Sequence, residues 1–85
     1  MGEYEDLQTM LETVSLAITQ QQTEEDFFRR SACSSTYKTA CNFFTGIADD
    51  IANHRKCLEV RRENLLTVLN DLKGKESNEE KHSET

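Results

Sequence analysis

Apolar side chains recur in alternating steps of three and four residues along the second half of the chain. Only two members of the series, His54 and Arg61, are polar. The full series is Tyr37, Ala40, Phe44, Ile47, Ile51, His54, Leu58, Arg61, Leu65, Val68 and Leu72. An α-helix returns to the same face every three or four residues, so this spacing predicts a helix over about 36–73 with a heptad, coiled-coil stripe. Gly74 is predicted to end it, since glycine favours the position after a helix.

A less regular series of the same kind crosses the first third of the chain. Its members are Tyr4, Leu7, Leu11, Val14, Ile18, Gln21, Glu25, Phe28 and Ala32. They predict a first helix over about 3–31, interrupted on its apolar face by two polar residues. The last ten residues, ESNEEKHSET, contain no apolar side chain. They predict a disordered acidic tail over 76–85.

Two segments compete as the point where the chain reverses. Thr23, followed by three acids, resembles the start of a helix. Residues 31–36, SACSST, are largely weak helix formers, because their side chains compete for backbone hydrogen bonds. A reversal at 31–36 alone gives a long antiparallel helical hairpin, whereas breaks at both segments give a three-helix bundle.

Charge pairing favours the later reversal. Residues 1–28 contain several acids and no base, whereas the basic residues cluster at 55–62. A turn centred near residue 33 would place Glu12 opposite Arg55 and would place Glu5 and Asp6 opposite Arg61 and its neighbour. Such flanking charges set orientation in coiled coils. The sequence therefore predicts one all-α hairpin domain over 1–75, with its turn at about 31–36, that assembles into a larger bundle; the three-helix bundle is the alternative.

This register would leave the segment LLTVLNDL, residues 65–72, projecting beyond the first helix. Exposed apolar surface of that kind usually marks an interface. The predicted partner-binding residues are Ile51, Leu58, Leu65, Leu66, Val68, Leu69 and Leu72. His54 and Arg61 are predicted to select the partner, as single polar residues in a coiled-coil stripe do, and Glu5, Asp6 and Glu12 to set its orientation.

Composition argues against several classes of protein. A chain of 85 residues has a marginal core of its own, and domains of this size usually add disulfides, a metal or a partner chain. The net charge of −6 argues against general nucleic-acid binding. No apolar run approaches the roughly 20 residues that cross a bilayer, and the acidic N-terminus does not resemble a secretory signal. The three cysteines are odd in number and match no metal or redox spacing motif, and thiols without a signal peptide fit a reducing compartment. An intracellular protein, cytoplasmic or nuclear, is therefore predicted, neither secreted nor membrane-spanning.

Asp50, His54 and Cys57 share one helix face and could contribute to a zinc site. The same spacing has a structural explanation, in which Asp50 accepts a hydrogen bond from His54 and Cys57 packs as a small apolar residue. The structural explanation is favoured, because a closed zinc site needs four closely spaced ligands. A Cys57–His54 nucleophilic pair would lack oxyanion donors and a pocket, so neither an enzyme nor a cofactor is expected.

These patterns predict a small coiled-coil interaction subunit, a scaffold or adaptor of a homo- or hetero-oligomeric complex. Its partner would be a protein, either a second copy or another helical chain, and neither nucleic acid nor membrane. Two alternatives stay open at this point. One is a monomeric three-helix binding module, and the other is a small zinc protein that uses Asp50, His54 and Cys57.

Overall fold

The computed structural model describes the backbone of residues 2–83 and the side chains of residues 2–74. It contains two α-helices, α1 (Glu3–Ser34) and α2 (Lys38–Ser83). The helices pack against each other and give an elongated shape, 72 × 18 × 14 Å. The prediction of an all-α helical hairpin is confirmed.

Helix α1 is continuous through Thr23, the residue at which the three-helix alternative placed a break. The hydroxyls of Thr9, Thr13, Thr19 and Thr23 each donate a hydrogen bond to the carbonyl four residues earlier. This bond lets a threonine stay within a helix, so Thr23 does not cap a new one. Near the start of α1, Glu3, Glu5 and Asp6 place carboxylates by the unpaired N–H groups of the first turn. The three-helix bundle is therefore wrong.

The chain reverses over residues 35–37, at the end of the predicted segment. Ser31 and Ser34 are still helical, and their hydroxyls donate to the carbonyls of Phe27 and Arg30 at 3.0 and 2.9 Å. Ser35 is extended, with φ −78° and ψ 137°, and ends α1. The thiol of Cys41 then donates to the carbonyl of Ala32 at 3.2 Å, which ties the start of α2 to the end of α1.

The face of α1 that contacts α2 is the predicted one. Every member of the predicted α1 series is buried or half-buried, from Tyr4 to Ala32. Leu7 and Ile18 are among the most buried apolar residues of the chain, and Glu25 is buried with them. The two polar members of the series thus face α2 rather than solvent, although glutamate by itself disfavours burial.

The contact face of α2 is rotated from the predicted one. Tyr37, His54, Arg61 and Val68 belong to the predicted series but are exposed. The residues that directly follow Ile47, His54, Arg61 and Val68 are more buried than these members of the series: Ala48 and Leu69 are buried, and Arg55 and Arg62 are half-buried. The prediction from apolar spacing missed this rotation because alanine and arginine are weak indicators of a buried position. In the structure the small Ala48 and Ala52 are buried between the helices.

The predicted overhang at residues 65–72 is wrong. Leu65 and Val68 lie across from Met10 and Val14 of α1. Leu69 is only 7% exposed, while Leu65, Leu66 and Leu72 are half-buried. The register differs because the chain reverses later than predicted, so that α1 reaches further along α2.

The later reversal also changes the charge pairing. Arg55 donates to Glu25 and to Glu59 rather than to Glu12. The pairs Glu25–Arg55 and Arg29–Asp49 run in opposite senses along the two helices, as antiparallel packing requires.

Gly74 lies inside α2, and no glycine among the described residues has a positive φ. It therefore does not adopt the left-handed conformation with which glycine commonly ends a helix. A glycine within a helix costs only about 1 kcal/mol relative to alanine, so the helix can include it. The predicted disordered tail, residues 76–85, lies outside the described side chains and stays a prediction.

Candidate interaction surface

An open groove of about 510 Å³ runs between the two helices on one side of the hairpin. Its walls are formed by Thr9, Met10, Thr13 and Val14 of α1 and by Arg61, Asn64, Leu65 and Val68 of α2. The exposed apolar surface comes mainly from Met10, which is 49% exposed, and Val68, which is 42% exposed. We call this surface the groove.

The rotation of α2 explains why the groove exists. Because Leu69 turns toward α1, the neighbouring Val68 turns away from the helix contact and lines the groove wall. Leu65 lies between these two positions and is half-buried. The predicted apolar stripe of α2 is thus divided, one edge contacting α1 and the other open on the groove side.

A cluster of five charged side chains joins the helices elsewhere along the rod. The ion-pair cluster consists of Glu25 and Arg29 of α1 and Asp49, Arg55 and Glu59 of α2. Arg55 and Arg61 are six residues apart and therefore about 120° apart around α2. The ion-pair cluster and the groove accordingly lie on different sides of the hairpin.

Glu25 is the centre of the ion-pair cluster and is only 9% exposed. Its Oε2 accepts a hydrogen bond from Nε of Arg29 at 2.7 Å, and its Oε1 accepts one from Nη1 of Arg55. Nη2 of Arg29 also donates to Asp49 at 3.2 Å, and Nε of Arg55 donates to Glu59 at 3.3 Å. Each buried charge of the cluster is therefore paired within the chain.

These bonds lower the pKa of Glu25 below its ordinary value of 4.5. The hydrogen bond from Arg29 is the largest cause and that from Arg55 the next, while burial acts in the opposite direction. Hydrogen bonds from cations favour the charged form of a carboxyl group, so Glu25 is ionised at neutral pH.

Phenylalanine rings form a second contact near the turn. The rings of Phe28 and Phe44 stack between the helices with centroids 6.2 Å apart. Phe27 packs edge-on against Phe28, and Phe43 packs against Phe44. Phe43 is 63% exposed, so most of its ring faces solvent. The sequence prediction did not include Phe43 or Met10 among the interaction residues, because both lie beside the periodic stripes; their size and apolarity were the available signal.

The residues proposed for zinc do not form a site. His54, Cys57 and Asp50 are all exposed on α2. Among the described residues, no three histidine, cysteine, aspartate or glutamate side chains form a group that could hold a metal ion. The zinc alternative therefore has no structural support. The expectation of a protein without enzyme activity or cofactor stays a prediction.

The remaining predicted selectivity residues are all on the surface. Arg61 lines the groove, and His54 lies two turns before it on α2. Glu5, Asp6 and Glu12 are exposed on α1. Their predicted roles in choosing and orienting a partner stay predictions.

No described helix carries an apolar stretch long enough to span a bilayer. The intracellular location stays a prediction from the sequence. Comparison with protein-family models, curated proteins and solved structures gives no match to this chain.

Proposed function

We propose that this protein is a helical-hairpin interaction module, a small scaffold or adaptor subunit whose groove takes a further helix. The helix would come from a second copy or from another chain, and would pack on the hairpin in the manner of a coiled coil. The observation that carries the proposal is the groove itself, an apolar channel between two helices with Met10 and Val68 half exposed.

The thin core supports this function. Among the described residues, no large side chain is fully buried, and only Ala48 is 0% exposed. Each helix buries a single stripe, and two such stripes shield little apolar surface from water. A third helix in the groove would cover the open edge, as partner chains do for other small domains.

The predicted partner-binding residues divide into three groups by position. Leu65 and Val68 line the groove and would contact the partner directly. Ile51, Leu58 and Leu72 are half-buried along the same stripe and would extend that contact. Leu69 is 7% exposed and Leu66 is half-buried, and neither lines the groove, so in this proposal both contribute to the contact between α1 and α2. On the α1 side of the groove, Met10 would contribute apolar surface to the same contact.

The matched substitutions Val68→Asp and Val60→Asp test the proposal. Both valines are exposed on α2, at 42% and 61%, but only Val68 lines the groove. A charge at position 68 would have to be desolvated on association, whereas a charge at position 60 would stay in water. We expect Val68→Asp to lose association and Val60→Asp to keep it, measured as molar mass against concentration by light scattering.

The same two positions can report a different partner. A photo-crosslinking amino acid placed at position 68 in cells should yield a discrete protein adduct, and one placed at position 60 should not. The adduct should disappear when Met10→Asp is added to the position-68 protein. Equal adducts from both positions, together with a mass of 9.8 kDa at every concentration, would overturn the proposed function.

A further inference from the structure

We infer that the occupant of the groove is the turn end of a second copy of this chain, in an antiparallel dimer. In this dimer Phe43 of each copy packs against Val68 of the other, and Asp50 of each copy pairs with Arg61 of the other. The inference rests on the proposed function and specifies its partner.

Phe43, Asp50, Arg61 and Val68 lie on one straight line along α2, spaced by seven, eleven and seven residues. The exposed His54 and Cys57 lie on the same line between Asp50 and Arg61, since His54 follows Phe43 by eleven residues and Cys57 follows Asp50 by seven. Seven residues and eleven residues each return to within about 20° of the starting direction on an α-helix. Since Arg61 and Val68 line the groove, the line runs along the groove side of the hairpin.

The order of residues on this line is self-complementary. From one end it reads apolar, acid, histidine, cysteine, base, apolar, with equal spacing between each apolar residue and its charged neighbour. A two-fold rotation about an axis midway between Asp50 and Arg61 superimposes Phe43 on Val68, acid on base, and His54 on Cys57. A two-fold interface brings the same surface patch together with itself, so this order is what such a dimer requires.

Shape agrees with this pairing. Phe43 projects from the turn end with 63% of its surface exposed, whereas Val68 lies at the apolar groove of the open end. An aromatic ring can remove about 150–250 Å² of its surface from water when it is buried. In the antiparallel dimer each groove receives one aromatic ring, because each copy supplies one Phe43.

Charge selects the antiparallel arrangement over the parallel one. Among the described residues neither Asp50 nor Arg61 has an ion pair, so both are free to pair between copies. In a parallel dimer, Arg61 of one copy would lie about 16 Å along the rod from Asp50 of the other. That separation exceeds a Debye length at physiological salt, which leaves little attraction.

Charge exchange at the two positions tests the inference. In the dimer, Asp50→Arg creates two Arg–Arg contacts and Arg61→Asp creates two Asp–Asp contacts. We expect each single variant to raise the dimer Kd by about 10-fold or more, because like charges at an interface are unfavourable. The double variant should return the Kd to within about 3-fold of the original, since it restores both opposite-charge pairs. Sedimentation equilibrium gives the Kd, and circular dichroism shows that each variant is folded.

A mixture of the two single variants tests the pairing more directly than the double variant does. Asp50→Arg and Arg61→Asp, each weakly associating alone, should form a one-to-one heterodimer, because every contact between them joins opposite charges. Two exposed residues of α2 away from the groove, Lys56 and Glu63, supply controls. Lys56→Asp and Glu63→Arg make the same changes in charge and should leave the Kd within about 3-fold.

The measurements distinguish failure of the dimer inference from failure of the proposed function. A mass of 9.8 kDa at every concentration overturns the second-copy inference, and a position-68 adduct with another protein would then still support the proposed function. A dimer that shows neither rescue in the double variant nor heterodimer formation overturns the antiparallel arrangement. A dimer whose Kd is unchanged by Val68→Asp overturns both the inference and the use of the groove.

Discussion

Different kinds of side chain are buried in the two halves of the hairpin, the turn half (residues 21–59) and the open half (residues 3–20 and 60–74). The buried residues are Ala48, Ala52 and Glu25 in the turn half and Leu7, Ile18 and Leu69 in the open half. The turn half combines small residues, stacked rings and paired charges. The open half depends on aliphatic side chains and leaves the groove beside them.

The difference shows which half is available to a partner. In the turn half, Glu25 is paired with two arginines, so its charge is already balanced inside the chain. In the open half, Met10 and Val68 contribute apolar surface that the hairpin itself does not cover. Ion pairs are directional and match the two helices of one chain, whereas apolar burial is non-directional and can be extended by another molecule.

The largest effect is expected from Leu69→Asp, which places a carboxylate in the aliphatic contact of the open half. Leu69 is 7% exposed, and an unpaired buried charge is strongly unfavourable. We expect a loss of about 3 kcal/mol or more in the free energy of unfolding. Urea denaturation followed by circular dichroism measures this loss.

Hydrogen exchange of the same variant would show whether the two halves open independently. Backbone amides of the open half should lose protection first, because the contacts of the turn half are untouched by the substitution. Val60→Asp, at an exposed position of the same helix, should change stability by no more than about 0.5 kcal/mol. Equal loss of protection in both halves would show that they unfold as one unit.

A smaller effect, confined to acid, is expected from the ion-pair cluster of the turn half. The pKa of Glu25 is lowered in the folded chain, so its ionised form stabilises the fold. This contribution is complete above the ordinary value of 4.5 and is lost as the pH falls through the lower pKa of the folded state. We expect the Tm to fall with decreasing pH below about 4.5, and Glu25→Gln to flatten that part of the profile.

Glu59→Gln is the control, since Glu59 contacts Arg55 from a more exposed position in the same cluster. Its Tm profile in acid should stay close to that of the unsubstituted chain. If Glu25→Gln leaves the acid-induced fall in Tm unchanged, the fall comes from other carboxylates, and the cluster does not contribute as described.

Much of the hairpin could be predicted from residue spacing alone. The α1 stripe was predicted member by member, even at Gln21 and Glu25, because seven neighbouring apolar positions defined the face. The rotation of α2 was not predictable in the same way. Its buried face includes Ala48 and Arg55, and neither residue type indicates burial until the partner helix is known.

The candidate surface was predicted less well than the fold. The prediction that α2 has apolar surface for a partner rested on a register that would expose Leu69, and the later turn buries it. Glu25 pairs with Arg55, thirty residues further along the chain. The number of charges on each helix could not distinguish this pair from the predicted Glu12–Arg55 pair. Met10 and Phe43 were missed because they lie beside the periodic stripes rather than on them.

The smallest effects are expected from the two helical glycines, one in each half. An alanine Cβ at Gly46 or Gly74 would meet no atom within 4 Å, so neither substitution introduces strain. Gly46→Ala should stabilise the chain by about 0.5–1 kcal/mol, because alanine loses less conformational freedom in a helix. Gly2→Ala is the control and should give no gain, since Gly2 is the N-cap of α1, where alanine is disfavoured.

The stability gain from Gly74→Ala, set beside that from Gly46→Ala, shows how strongly the end of the open half is coupled to global unfolding. A residue near the end of a helix can open locally without unfolding the rest, so a change there contributes less to global stability. We therefore expect Gly74→Ala to raise the free energy of unfolding by less than Gly46→Ala, in the same urea measurement. An equal gain would mean that α2 near Gly74 unfolds only together with the turn half. The open half would then be as cooperative as the turn half, and its availability to a partner would depend on the groove surface alone.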